Sequence, residues 1–171
     1  GMERLQALGG VHEFMGWNKQ ILTDSGAFKV FSLGRQQLHA NSKKKEGREK
    51  SNKFKTAPKK QPKQVTRNLD VKITEDGAHF VSHLNGGLHF FSPESSIEVQ
   101  RQIGADIIMT FDECISDSES KEYIKKSIDR THRWAQRCFN YWEKNKRKSV
   151  YGGYQALFGI IQGGMLKEMR Q

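Results

Sequence analysis

Three short apolar runs each end in a polar residue beside glycines or acids, and this recurrence constrains the fold more than any other feature of the chain. Ile21 and Leu22 lead to Thr23, Asp24, Ser25 and Gly26; Ile107–Phe111 leads to Asp112 and Glu113; the run from Leu157 leads to Gln162, Gly163 and Gly164. Short apolar runs separated by helical patterns read as buried strands of a parallel sheet joined by helices. In such sheets and barrels the site lies at the carboxyl ends of the strands, so Asp24, Asp112 and Gln162 are expected to converge on one face. By itself, QILTDSGAFKVFSL is equally an ordinary strand and turn with Asp24 capping the next element.

The intervening segments carry their own signals. Ser92, Pro93 and Glu94 supply a capping hydroxyl, a proline at the first helical position and an acid in the first turn, predicting a helix to about Ile103 with Gly104 as its stop. Ile124, Ile128, Thr131, Ala135, Cys138 and Trp142 recur at alternating spacings of four and three within a helix predicted from about Ser118 to Asn145. Cys138 lies on that stripe and reads as a small core residue. From Leu69 the pattern has period two, predicting an antiparallel meander of Val71–Ile73, Ala78–Ser82 and Leu88–Phe91 with turns at Glu75–Gly77 and Asn85–Gly87. Residues 1–19 suit a helix end and a packed loop, and residues 165–171 the first turns of another helix.

Charge divides the chain. Residues 41–68 hold eleven Lys/Arg against Glu46 and Glu49, which is +9 of the net charge of +10. Phe54 is the one large apolar residue between Leu38 and Val65, so the tract cannot offset its ordering entropy and is expected to be a disordered insertion. Three regions result: 1–34, 35–68 and 69–171. The basic tract either attracts phosphates through counterion release or is a solvated loop. Cys114 and Cys138 stand apart with no Cys-x-x-Cys pair, which suggests neither a disulfide framework nor a metal site in this chain and fits a cytoplasmic setting. No apolar run approaches the roughly 18 residues of a membrane span, so no membrane association is expected.

Two carboxylates and a carboxamide at one mouth, with Phe28 and glycine-rich backbone, suit a planar heterocycle. Carboxylates accept from ring N–H and amino groups, the amide donates to a carbonyl, and the aromatic ring stacks. A guanine edge matches this set. Paired acids also suit glycoside hydrolysis, and Asp112 with Glu113 could hold a divalent cation, although adjacent acids on a strand point apart.

The segments FMGW, ILTDSGAFKVFSL, DGAHFVSHLNGG, SPESSIEVQRQIGADIIMTFDEC, RTHRW and FGIIQGG occur in an order that resembles the bacterial tRNA-guanine transglycosylases. The resemblance covers nearly everything except residues 35–68. It implies a (β/α)8 barrel, about three of whose eight strands lie in this chain. The implied reaction exchanges guanine at the tRNA wobble position for a 7-deazaguanine in queuosine biosynthesis. Asp24 then corresponds to a proton-handling catalytic aspartate that also meets the base, and Ser25, Gly26, Ala27 and Phe28 to the segment lining the base pocket. Asp112 corresponds to the acid that reads the donor edge, Cys114 lies beside it, and Gln162 and Gly163 complete base recognition. The expected partners are tRNA and the base, and the full-length enzyme is a possible homodimer.

The chain departs from the family pattern at Ala27, where a second glycine is usual, and at Lys29, where glutamine is usual. If Ala27 required a positive φ its β-carbon would be strained. The family's covalent nucleophile, a second aspartate on a late strand, is not among these residues. Nor is its zinc site of three cysteines and a histidine, so the isolated chain is expected to be inactive. The alternative is a non-enzymatic RNA-binding remnant that uses the basic tract.

Overall fold

The structure is a computed structural model that describes residues 2–30, 32, 71–82, 86–116 and 119–170. The Lys-rich region 35–68, the start of the long helix at Ser118, and Asn85 of the second turn lie outside the described residues.

The fold is mixed α/β. Two short helices, α1 (Met2–Ala7) and α2 (Val11–Met15), precede a three-stranded antiparallel sheet of β1 (Lys72–Ile73), β2 (Ala78–Val81) and β3 (Leu88–Phe91). Then come α3 (Pro93–Ile103), β4 (Ile107–Met109), α4 (Lys121–Lys144), β5 (Ala156–Phe158) and a single 3-10 turn at Lys167–Met169. β4 and β5 pair in parallel with Ile108 opposite Leu157, and Leu22 makes a parallel bridge to Ile107. The three apolar runs therefore lie side by side in one direction, with β4 central. The first is only a bridge, and the third stops at Phe158 instead of continuing to Gln162. The ladder ends one step beyond, where Thr110 N–H donates to the Phe158 carbonyl at 2.9 Å, and the segment 159–162 has no strand partner among the described residues.

The three strands pair as an antiparallel meander in the predicted order, with Ala78 opposite Phe91 and Ile73 opposite Ala78. Gly77 is obligatory there, since a β-carbon would fall 2.1 Å from the Phe91 carbonyl oxygen. Ser92 caps α3 with a reciprocal capping box to Ser95, and Gly104 closes it in the left-handed conformation at φ 84°.

Helix α4 starts at Lys121, capped by the Ser120 hydroxyl. Its buried face is Ile124, Ser127, Thr131, Trp134, Cys138 and Trp142, with Ile128 and Ala135 only half-buried. Ile124, Thr131, Cys138 and Trp142 face inward as the stripe predicts, while Ser127 and Trp134 take the places of Ile128 and Ala135. Thr131 accepts from Glu113 N–H at 3.1 Å and Ser127 donates to the Glu113 carbonyl at 3.5 Å. The core joins Ile97 of α3, Ile108, Phe111, Trp134 and Cys138. Phe111 stacks on Trp134 with centroids 5.0 Å apart, Phe91 meets Phe111 edge-on at 6.2 Å, and the Trp134 indole donates to the Glu75 carbonyl at 2.7 Å. These contacts seat the antiparallel sheet on α4.

The leader is not the packed loop expected of it, since Leu8, Phe14, Met15 and Trp17 are exposed. His12 anchors it, contacting Asp106 Oδ2 at 3.0 Å and the Trp17 carbonyl at 2.7 Å. Residues 167–169 form one 3-10 turn where helical turns were expected.

Candidate functional site

Beyond the carboxyl ends of β4 and β5 the chain encloses an open cavity of about 540 Å³, lined by Phe28, Asp112, Cys114, Ile115, Ile160, Ile161, Gln162, Gly164 and Arg170. Asp112 is its polar centre, buried at the end of the β4 segment. Gln162 Nε2 donates to Asp112 Oδ2 at 2.6 Å, Ser25 Oγ to Oδ1 at 3.5 Å, and the Cys114 thiol to Oδ2 at 3.6 Å. Three donors thus hold one carboxylate. Burial nevertheless raises the Asp112 pKa, helped by the negative charge of Asp24, while the bonds from Cys114 and Gln162 oppose the rise. The same burial, with Asp112 beside it, pushes the Cys114 thiol up to about 12. Cys114 is therefore a neutral donor.

The structure brings together most of the residues singled out in the sequence. Asp24 is exposed and is not part of the cavity lining, but its charge acts on Asp112 and Cys114. Ser25 is buried beneath Asp112, its carbonyl accepting from the Ser96 hydroxyl of α3 at 2.8 Å. Gly26 takes the positive φ of the turn, 86°, so Ala27 does not need it. Ala27 instead begins a helical turn over 27–30 and is buried, its N–H donating to Ser25 Oγ at 3.3 Å. The conditional strain at Ala27 is absent, and its β-carbon packs into the core cluster. Phe28 is 65% exposed and presents a ring to the cavity. Gly163 lies behind the lining: a β-carbon there would stand 2.8 Å from the Met169 carbonyl, and Gly164 lines the cavity in its place.

Ile115, Ile160, Ile161 and Arg170 also line the cavity. No sequence signal marks the isoleucines, which resemble any core residue. Arg170 lies eight residues past Gln162 and is brought back by the turns over 163–170 and by its guanidinium, which donates to the Gly164 carbonyl at 2.8 Å from Nε.

Glu113 faces the other way. Its side chain is 3% exposed and is held by the Tyr123 hydroxyl at 2.6 Å and by the Arg130 guanidinium, both on α4. Asp112 and Glu113 therefore serve opposite faces of one backbone and do not share a cation. Among the described residues no group of three His, Cys, Asp or Glu side chains could hold a metal ion. Cys138, its thiol raised to about 12 by burial, lies in the core. The described residues do not fit a zinc site. No described helix is long and apolar enough to cross a membrane.

A family model described as queuine tRNA-ribosyltransferase matches residues 1–171. Bacterial proteins of that name are similar along almost the whole chain. The one from Fusobacterium nucleatum is 40% identical over 99% of this chain and 34% of its own length. That from Acetivibrio thermocellus is 41% identical over 100% of the chain and 35% of its length. That from Roseiflexus sp. is 39% identical over 100% of the chain and 40% of its length. The chain thus spans between a third and two fifths of these relatives. With a match over every residue and a polar cluster at the carboxyl ends of parallel strands, the chain belongs to the queuine tRNA-ribosyltransferase family.

Proposed function

We propose that this cavity is the base-binding part of a tRNA-guanine transglycosylase, which exchanges guanine at the tRNA wobble position for a 7-deazaguanine. The observation that carries the reading is the clamped Asp112 carboxylate at the floor of a cavity bordered by the Phe28 ring. Ionised Asp112 accepts from the N1–H and 2-amino donors of guanine, as a carboxylate offers two oxygens to a paired donor edge. Phe28 stacks on the base, a contact worth about 1–3 kcal/mol in nucleic-acid systems. Ser25 and Gln162 hold the carboxylate in register, and Asp24, whose charge reaches Asp112, handles the proton exchanged with the base. Gly26, Ala27 and Gly163 shape the backbone around the pocket.

The parallel strands belong, on this reading, to a (β/α)8 barrel with the antiparallel sheet as an insertion. The covalent aspartate and the zinc ligands expected from the resemblance are not among these 171 residues. The enzyme is a glycosyltransferase of the cytoplasm acting on tRNA as a homodimer, with these residues supplying base recognition and not the whole reaction. Exchange of labelled guanine into tRNA tests this division. The 171-residue chain is expected to bind guanine without exchanging it, and measurable exchange would overturn the claim that further residues are needed.

A second reading is favoured by the +9 carried within residues 41–68: binding of RNA by generic electrostatics, without base chemistry.

A further inference from the structure

We infer that Glu113 is a positioning residue for base recognition, with Tyr123 and Arg130 as its anchors, an inference that rests on the reading of Asp112 as the acid facing the base. The two acids are consecutive, so whatever fixes the Glu113 backbone also fixes Asp112. Glu113 is secured at four points. Its carboxylate takes the Tyr123 hydroxyl and the Arg130 guanidinium, its N–H donates to Thr131 Oγ1 at 3.1 Å, and its carbonyl accepts from Ser127 at 3.5 Å. All four partners come from three turns of α4, within the 24-residue helix Lys121–Lys144. Arg130 also stands 3.7 Å from Glu75, at the turn of the antiparallel sheet, so the anchor is braced on a second element. Burial together with the Glu113 bond pushes the Tyr123 hydroxyl up to about 12, which keeps it a donor at any physiological pH.

On the cavity side, by contrast, the Asp112 carboxylate meets its own backbone N–H and, from other residues, only side chains: Ser25 and Cys114 at long distance and Gln162 at 2.6 Å. None of these fixes the backbone at 112–113. The β4–β5 ladder has ended at Thr110 and Phe158. Past that point the carboxylate that faces the base is aimed from behind, by α4 acting through Glu113. Supporting residues of this kind, which hold a binding group without touching the ligand, commonly change affinity by about 10–100-fold when removed from metal sites, and loose supporting shells are a recurrent cause of weak sites.

The test is the ratio of guanine to hypoxanthine affinity, measured by calorimetry with the full chain. Hypoxanthine lacks the 2-amino group, so the ratio reports how well the Asp112 carboxylate is aimed and is insensitive to a general loss of stability. Asp112→Asn is expected to bring the ratio close to one; an unchanged ratio there means Asp112 does not read the base, and both the site reading and this inference fall. With that control in hand, Glu113→Gln is expected to lower the ratio by about tenfold and Tyr123→Phe by about threefold, each with folded far-UV and near-UV signals. Wild-type ratios in folded Glu113→Gln and Tyr123→Phe proteins overturn the positioning role and leave the site reading standing. If Glu113→Gln does not fold, Tyr123→Phe, which removes one hydroxyl at a partly exposed position, decides the matter.

Discussion

Gln162 Nε2 lies 2.6 Å from Asp112 Oδ2, tying the segment after β5 to the segment after β4 where the two strands no longer pair. The bond replaces the missing ladder with a side-chain link, and it places a carboxamide and a carboxylate at one cavity mouth.

Guanine affinity should fall on acidification. The Asp112 pKa is raised, first by burial and then by Asp24, so the carboxylate protonates at a higher pH than an ordinary aspartate and loses an acceptor for the base. Binding is expected to be full well above that raised pKa and to weaken as pH falls through it. Asp112→Asn should lower affinity roughly 10–100-fold, the equivalent of a charge-assisted hydrogen bond, and flatten the pH profile. A profile unchanged by the substitution would show that another group titrates.

The same shift predicts a change in stability of opposite sign. An acid whose folded pKa is raised destabilises the fold at neutral pH, where it is ionised, and the penalty disappears as pH falls through the folded pKa and below the unfolded one. Asp112→Asn should therefore unfold at a higher temperature than wild type near pH 7, and the gap should close in acid. Thermal melts at several pH values measure it.

Trp134 is fully buried, stacked on Phe111, and donates to the Glu75 carbonyl. Trp134→Ala is expected to lose about 3–5 kcal/mol in urea unfolding. Trp134→Phe should lose less, since a ring stays against Phe111 and the Glu75 carbonyl still accepts from Arg137 at 3.1 Å. The periodicity of α4 did not single out Trp134, because the apolar stripe fits Ile128 and Ala135 as well. Thr131 is on the predicted stripe, but Ser127 takes the inward place expected of Ile128, its hydroxyl bonding the Glu113 carbonyl, and a hydropathy pattern counts such a serine as outward.

Ala27→Gly introduces the second glycine that the sequence resemblance leads one to expect. Because Ala27 is helical and buried and Gly26 carries the positive φ, the change should destabilise by about 0.5–1 kcal/mol. Guanine affinity should stay within about twofold. A large gain in affinity would mean that the methyl group crowds the base after all.

Removing residues 41–68 takes away +9 of charge and separates the two RNA-binding readings. If the tract only gathers phosphate, tRNA affinity and its salt slope should drop while free-guanine binding and its response to Asp112→Asn persist. Loss of free-guanine binding with the tract would tie it to the pocket.

The strand runs, their direction and the convergence of Asp112 and Gln162 were legible in the sequence, because each depends on local pattern and on the general rule for parallel sheets. Phe28 also lines the cavity, whereas Asp24 is outside the lining and reaches Asp112 through its charge. What the pattern overstated was regularity: the first strand is one bridge at Leu22 and the third ends at Phe158, since pairing requires a neighbour and not only an apolar run. The exposed leader around Phe14 and Trp17 depends on contacts between distant segments, which no local period encodes.

The opposed directions of Asp112 and Glu113 have a consequence for how this segment tolerates change in length. Extended backbone sends successive side chains to opposite faces, so inserting or deleting one residue between Ile107 and Asp112 would turn the satisfied acid toward the cavity and press the other against Arg130 and Tyr123. Substitutions here exchange one side chain at a time, whereas a single-residue slip exchanges both roles at once. Variation in length among relatives is therefore expected to fall after Cys114 or before Ala105, and to leave the interval between them unchanged.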